Sequence, residues 1–265
     1  MIPNVLSIAG SDPGGGAGIQ ADLKTFAALR CHGLSVITAL TAQNTQGVFD
    51  FSVVPTDFVA AQIDALYADI EIKAVKIGMT ASPAIVAMLG ERLARYQPPA
   101  VVLDPVLAAS SGASLATGEI AESMVAHLAP RVTLVTPNLI EAAYLAKMPM
   151  PERLTDMQKI AGRIHELGFA AVLVKGGHRA AAGCDDVLFD GSSFRILTMP
   201  RVPTRNTHGT GCTLSAAIAA NLAQGLDLVP AIEAAKLYLQ GALEAADALN
   251  VGHGPGPLNH FHRFW

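Results

Sequence analysis

Charge is what this chain has least of. Only 15% of its 265 residues are Asp, Glu, Lys or Arg, against roughly 25% in an average soluble domain. Hydrophobic residues make up 51%. The deficit argues against disorder and points to surface buried against another subunit. Eighteen Lys and Arg stand against 22 Asp and Glu, a net charge of -4. Neither phosphate backbones nor anionic lipids attract such a chain, which disfavours nucleic-acid and membrane-surface roles. A local anion site remains open. Cysteine is scarce as well. Cys31, Cys184 and Cys212 are odd in number and lack CxxC spacing, which excludes a disulfide framework or a Cys-rich zinc site. A reducing cytoplasm is the expected compartment. Met1-Ile2-Pro3-Asn4 has no basic segment leading into an apolar run, so no signal peptide is expected. The longest stretch free of Asp, Glu, Lys and Arg, Asn206 to Leu226, carries Asn206, His208, Asn221 and Gln224 and is no membrane span. Repeats, linkers and low-complexity tracts are absent, so residues 1–265 are expected to form a single domain.

What is present is alternation. Short β-branched runs at Val5–Ala9, Leu34–Leu40, Ala74–Ile77, Ala100–Leu103, Val132–Val135 and Ala171–Val174 read as buried strands. Helical patterns at Ile19–Leu29 and near 56–69, 82–96, 138–146 and 155–168 separate them. Such alternation implies βαβ crossovers and an α/β fold with a mostly parallel sheet covered on both faces. Val48–Val54 reads as an outlying antiparallel strand. Val187–Leu197, broken by Asp190-Gly191-Ser192-Ser193, reads as a hairpin. Two Ala-rich helices close the chain, near 212–224 and 229–249.

In an open parallel sheet, ligands bind beyond the carboxyl ends of the strands. Polar and glycine residues recur at those ends: Gly10-Ser11-Asp12, Gln43-Asn44, Gly78-Met79-Thr80, Asp104-Pro105-Val106, Thr136-Pro137-Asn138 and Lys175-Gly176-Gly177. Together they favour one composite site. The first glycine loop, Gly10 to Gly18, fails the dinucleotide fingerprint because Ile19 stands where the third glycine belongs. It is either a packing turn or a loop beside a small substrate. In the second, Asn206-Thr207-His208-Gly209-Thr210-Gly211-Cys212 runs straight into a helix. Free backbone N–H groups and the helix dipole make that start an anion hole for a phosphoryl group. The alternative is an ordinary helix start. Cys212, in the first turn, is expected to have a lowered thiol pKa and to be a candidate proton acceptor; the alternative is a packing residue. Asn138 and Glu141 either face a ligand together, with Asp104 approaching a hydrated Mg2+, or form a capping pair. Lys175 either reaches a phosphate or is a solvated surface lysine. His260 and His262 could mimic a metal pair but lack a third ligand partner, and read as structural or surface residues.

Ala9-Gly10-Ser11-Asp12 with Gly15-Gly16-Ala17-Gly18-Ile19-Gln20-Ala21-Asp22-Leu23-Lys24-Thr25 resembles the opening of the hydroxymethylpyrimidine/phosphomethylpyrimidine kinases of thiamine biosynthesis. The same resemblance is carried by Thr41-Ala42-Gln43-Asn44-Thr45, Lys76-Ile77-Gly78-Met79, Asp104-Pro105-Val106, Thr136-Pro137-Asn138, Lys175-Gly176-Gly177-His178, the Asn206–Ala216 block and the closing His260-Phe261-His262. It implies a ribokinase-like three-layer α/β/α sandwich. It also implies ATP-dependent phosphorylation of hydroxymethylpyrimidine, then of its monophosphate. Gln43 would hold the pyrimidine, with Gly10, Asp22, Met79 and Val106 shaping the pocket. Asn138, Glu141, Lys175, Thr207, His208, Gly209, Thr210 and Gly211 would face ATP. Asp104 and Glu141 would lie near Mg2+. Gly209, Gly211 and Lys175 would assist transfer, and Cys212 would act as base where most ribokinase-like enzymes place Asp. A cytoplasmic homodimer is expected. The loop Ala109-Ser110-Ser111-Gly112 departs from the family, which often has a lysine there. Rival readings are a pyridoxine/pyridoxal kinase, a noncatalytic small-molecule binding protein, and a nicotinamide-dependent oxidoreductase, which the failed fingerprint disfavours.

Overall fold

The computed structural model of the chain describes residues 1–107, 118–177 and 183–265. The Ala109–Gly112 departure and His178 lie outside the described residues. The buried runs become a nine-stranded sheet ordered β3-β2-β1-β4-β5-β6-β7-β8-β9. Its strands are β1 (Asn4–Ser11), β2 (His32–Asn44), β3 (Gly47–Val53), β4 (Ala74–Ile77), β5 (Val101–Leu103), β6 (Leu134–Val135), β7 (Val172–Val174), β8 (Gly183–Phe189) and β9 (Phe194–Pro200). From β2 through β7 every neighbouring pair is parallel. Both margins are antiparallel hairpins, β2–β3 and β8–β9, with β8 also antiparallel to β7. The direction of strand order reverses between β1 and β4, the kind of switch point at which open sheets bind ligands.

Helices cover both faces. On one lie α2 (Thr56–Tyr67), α3 (Pro83–Tyr96), α4 (Gly118–Ser123), α5 (Leu139–Ala146) and α6 (Leu154–His165). They seal a core that includes Leu6, Val36, Ile77, Leu89, Leu103, Met124 and Ile164. On the other lie α1 (Gly18–Ala28), α7 (Thr210–Ala223) and α8 (Leu228–Glu244), around Phe26, Val102, Leu173, Ile218 and Tyr238. Each fully withdrawn Val, Leu, Ile or Phe stabilises the fold by about 1.5–3 kcal/mol. The result is the expected three-layer α/β/α arrangement.

The segment after α4 was not legible as helix. A π-helical turn (Met124–Leu128) and a 3-10 turn (Ala129–Arg131) follow it. They pack so closely on α3 that a side chain at Gly90 would press on the His127 backbone and Cβ. A π turn breaks the 3.6-residue period by which helices are recognised.

Candidate active site

The strand ends gather as the fold requires. Lys175 follows β7, Asp104 follows β5, and the Lys175 ammonium donates to Asp104 Oδ1 at 2.7 Å. The lysine side chain is only 14% exposed and the aspartate 4%, so Lys175 is no solvated surface residue. Burial works against its charge, yet the carboxylates of Asp104 and Glu141 outweigh it and raise the ammonium's pKa. Gly211, in the first turn of α7, sits directly against this pair. A Cβ there would lie 3.0 Å from Lys175 Nζ and 3.5 Å from Asp104 Oδ2. Glycine lets the helix start approach the pair without displacing the Lys175 ammonium, which a side chain would push aside by a few tenths of an ångström. Gly209 caps the helix with a left-handed φ of 83°. The Thr210 hydroxyl donates to the Thr207 carbonyl at 2.6 Å and closes the preceding turn.

Asn138 and Glu141 do form the capping box. Asn138 N donates to Glu141 Oε2 at 2.8 Å, and Glu141 N to Asn138 Oδ1 at 2.9 Å. The cap does not exclude the site role, because it turns the Glu141 carboxylate toward Lys175 and Asp104. Burial pushes the Glu141 carboxyl up to about 7, with Asp104 adding to the rise and Lys175 opposing it. Among the described residues no three His, Cys, Asp or Glu side chains cluster as a metal cage. Two carboxylates beside a phosphate site suit Mg2+, which keeps most of its waters and leans on substrate phosphates.

Apart from Asp22, the residues expected to hold the pyrimidine lie at the ends of β1, β2 and β4 or just after β5. Gln43 falls at a register shift between Ala42 and Gln43 in the β2–β3 ladder, and such bulges re-aim side chains. Gly10 lies against Met79, whose sulfur would be 3.4 Å from a Cβ at that position. Thr38 holds the Met79 carbonyl at 2.6 Å. Val106 follows Asp104 in a tight turn, its N–H donating to the Asp104 carbonyl at 2.8 Å.

Three expectations need correction. The Cys212 thiol is not acidified by its helix start. Burial pushes it up to about 11, and Asp22 and Asp104 add to the rise, against the opposing Lys76 charge and the Gly18 amide. Asp22 does not line the pocket. It is wholly buried, both oxygens accepting from Lys76 (3.0 and 2.8 Å) and Oδ2 also from Ser7 (2.6 Å). The His208 ring is taken up by Asp12, with Nε2 2.9 Å from Asp12 Oδ2. The first glycine loop, meanwhile, closes on its own aspartate. Its Gly14, Gly16 and Ala17 N–H groups donate to the Asp12 carboxylate at 2.8, 3.0 and 2.8 Å.

Two residues escaped notice in the sequence. Asp12 organises the first loop. Lys76 is a fully buried cation beneath the site, and the Asp22 carboxylate more than offsets its burial and keeps it charged. A lysine inside the all-buried strand Ala74–Ile77 was the available signal, since a buried lysine demands a partner. His260 is structural, as expected: it is buried and meets Thr213 Oγ1 at 3.0 Å.

A switch-point sheet with a buried lysine–aspartate pair under a glycine-opened helix start is the framework of a small-molecule kinase. The chain belongs to the phosphomethylpyrimidine kinase family, whose model matches residues 12–259. It is 50% identical over 265 residues, covering 100% of this chain and 99% of the relative, to the hydroxymethylpyrimidine/phosphomethylpyrimidine kinase of Rhizobium meliloti. It resembles the solved phosphomethylpyrimidine kinase of Clostridium difficile (TM-score 0.81, 39% identity, 91% and 99% covered). It also resembles the pyridoxal kinase of Staphylococcus aureus solved with AMP-PCP and pyridoxal (TM-score 0.91, 32% identity, 100% and 95% covered).

Proposed function

We propose that the chain, acting as one kinase domain over residues 1–265, transfers the γ-phosphoryl group of ATP to hydroxymethylpyrimidine and then to its monophosphate, in thiamine biosynthesis. The observation that carries this reading is the opening of α7 at Gly211, seated on the Lys175–Asp104 pair. Backbone N–H groups of Gly209, Gly211 and Cys212 and the Lys175 ammonium would meet the charge that spreads over the transferred group. The carboxamide of Gln43 offers a donor and acceptors to an aminopyrimidine edge, with Gly10, Met79 and Val106 around the ring. Asn138, Thr207 and Thr210 border the nucleotide side; His208 contributes through Asp12 and Asp22 through Lys76.

Asp104 and Glu141 would hold Mg2+, which when bound shields phosphate charge. The Cys212 thiol is the group this reading would have accept the hydroxyl proton. It serves as base only to the extent that added cationic charge offsets its burial, and a loose transition state lets that proton move late.

The homodimer reading rests on β3. This edge strand leaves Phe49 69% and Phe51 44% exposed, with Phe58 of α2 also exposed. An apolar edge of this kind is a docking surface for a second copy. Cytoplasmic residence is supported by three free thiols; among the described residues no helix is long and apolar enough to cross a membrane.

ADP release measured over hydroxymethylpyrimidine, its monophosphate, pyridoxal and a sugar tests the assignment. The two pyrimidines should give the highest kcat/KM. Preference for pyridoxal would favour the vitamin kinase represented by the S. aureus structure, and no release with any acceptor would favour a binding protein.

A further inference from the structure

Past Gly10, the first glycine loop is organised around one carboxylate. Asp12 Oδ1 accepts from Gly14 N and Oδ2 from Gly16 N, Ala17 N and His208 Nε2. The Asp12 amide in turn donates to Gln20 Oε1 at 2.8 Å, and Gln20 holds the Ser11 hydroxyl at 2.7 Å. Despite the cost of burial, hydrogen bonds from His208, Gln43 and the Ala17 amide hold the Asp12 carboxyl well below the usual carboxylate range. The anchor therefore stays ionised throughout the neutral range.

His208 is 196 residues away in sequence and precedes Gly209, the N-cap of α7. The two loops are also in backbone contact, because any side chain at Gly209 would strike the Gly16 carbonyl. From the opposite side the chain's last segment holds the same turn: His208 N donates to the Gly256 carbonyl at 3.1 Å, and Gly256 N to Asn206 Oδ1 at 2.9 Å. The turn that presents the α7 amides is thus clamped at His208, by its ring and by its backbone. Charge-assisted hydrogen bonds such as the one to Asp12 are roughly twice as strong as neutral ones.

We propose that Asp12 is a positioning residue for phosphoryl transfer: acting through His208 Nε2, it fixes the Thr207–Gly211 turn so that the α7 amides stay aligned with Lys175. This deepens the anion-hole reading and rests on it. Oxyanion donors work only when preorganised, and a displacement of about 1 Å far from the chemistry can cost on the order of 10²-fold in rate. Asp12 also stands beside Gln43, so one carboxylate borders both the pyrimidine side and the phosphate side.

The test compares His208→Leu, His208→Gln and Asp12→Asn with the parent, measuring kcat, KM for each substrate and melting temperature. His208→Leu should lower kcat on the order of 10- to 100-fold, with KM for hydroxymethylpyrimidine near the parent value. His208→Gln keeps an N–H for Asp12 and should recover most of that loss. The Asp12→Asn/His208→Leu double variant should lose no more than the worse single, as coupled residues do. Parent-like kcat in folded His208→Leu, no recovery in His208→Gln, or a loss confined to KM would overturn the proposal. If Asp12→Asn does not fold, the His208 pair decides alone. Gly211→Val separates the two ideas. If it is inactive while His208→Leu is normal, only the positioning role fails; if it is active, the anion hole fails and the positioning role with it.

Discussion

Lys175 and Asp104 meet at 2.7 Å across the carboxyl ends of β7 and β5, and Gly211 lies against both. Each half of the pair has a reason to be there only if the other remains. Lys175→Met would leave Asp104 buried without its cation, and breaking such a pair costs about 3–5 kcal/mol. Its partial exposure reduces that figure, so a drop in melting temperature smaller than a wholly buried pair would give is expected. Turnover should fall far more steeply than stability, because in the proposed mechanism the ammonium also faces the transferred group. A variant that is destabilised but turns over normally would make the lysine purely structural.

Gln43 should select the pyrimidine. Gln43→Leu leaves the ring's donor and acceptor unpaired, at a cost of about 1–3 kcal/mol, so KM for hydroxymethylpyrimidine should rise while KM for ATP stays. Equal weakening of both would mean that the β2–β3 hairpin had misfolded.

Glu141 gives the site a pH dependence. Its folded pKa, pushed up to about 7, exceeds the ordinary 4.5. A raised carboxyl binds its proton more tightly folded than unfolded, so its contribution to stability is full below about 4.5 and is lost as pH rises through about 7. Mg2+ needs the ionised form, so its activation constant should fall over the same rise. Glu141→Gln should flatten both curves. An unchanged Mg2+ dependence in Glu141→Gln would remove Glu141 from the metal's surroundings.

Cys212, with its thiol near 11, should react slowly with iodoacetamide at neutral pH and faster in alkali, with the pyrimidine protecting it. Cys212→Ala should slow turnover with near-normal binding, and Cys212→Asp should keep part of the activity. Turnover against pH for the Asp variant is informative. If its acid limb does not move relative to the parent, Cys212 only packs and the proton goes elsewhere.

The sheet was legible because Val, Ile and Leu runs at fixed spacing have few other uses, and β3 and the β8–β9 hairpin announced themselves by alternation and by Asp190-Gly191. The grouping of Asp104, Asn138 and Lys175 was legible because strand-end position alone brings them together. What escaped depended on distant partners. Nothing near Asp12 in sequence reveals His208, although an aspartate leading a run of glycines is an Asx-turn signal. The thiol of Cys212 was misjudged for the same reason: the helix start is local and visible, whereas the burial that raises the thiol, with Asp22 and Asp104 adding to it, arises only through the fold.

The most direct measurement follows labelled γ-phosphate from ATP to hydroxymethylpyrimidine in a single turnover, with both substrates saturating, for the parent and for Gly211→Val. The account predicts labelled pyrimidine monophosphate from the parent. In a folded Gly211→Val that still binds both substrates, the rate should be lower on the order of 10²–10³-fold, the usual effect of losing an oxyanion donor. Equal rates in the two proteins, or no label on the pyrimidine from the parent, would contradict it.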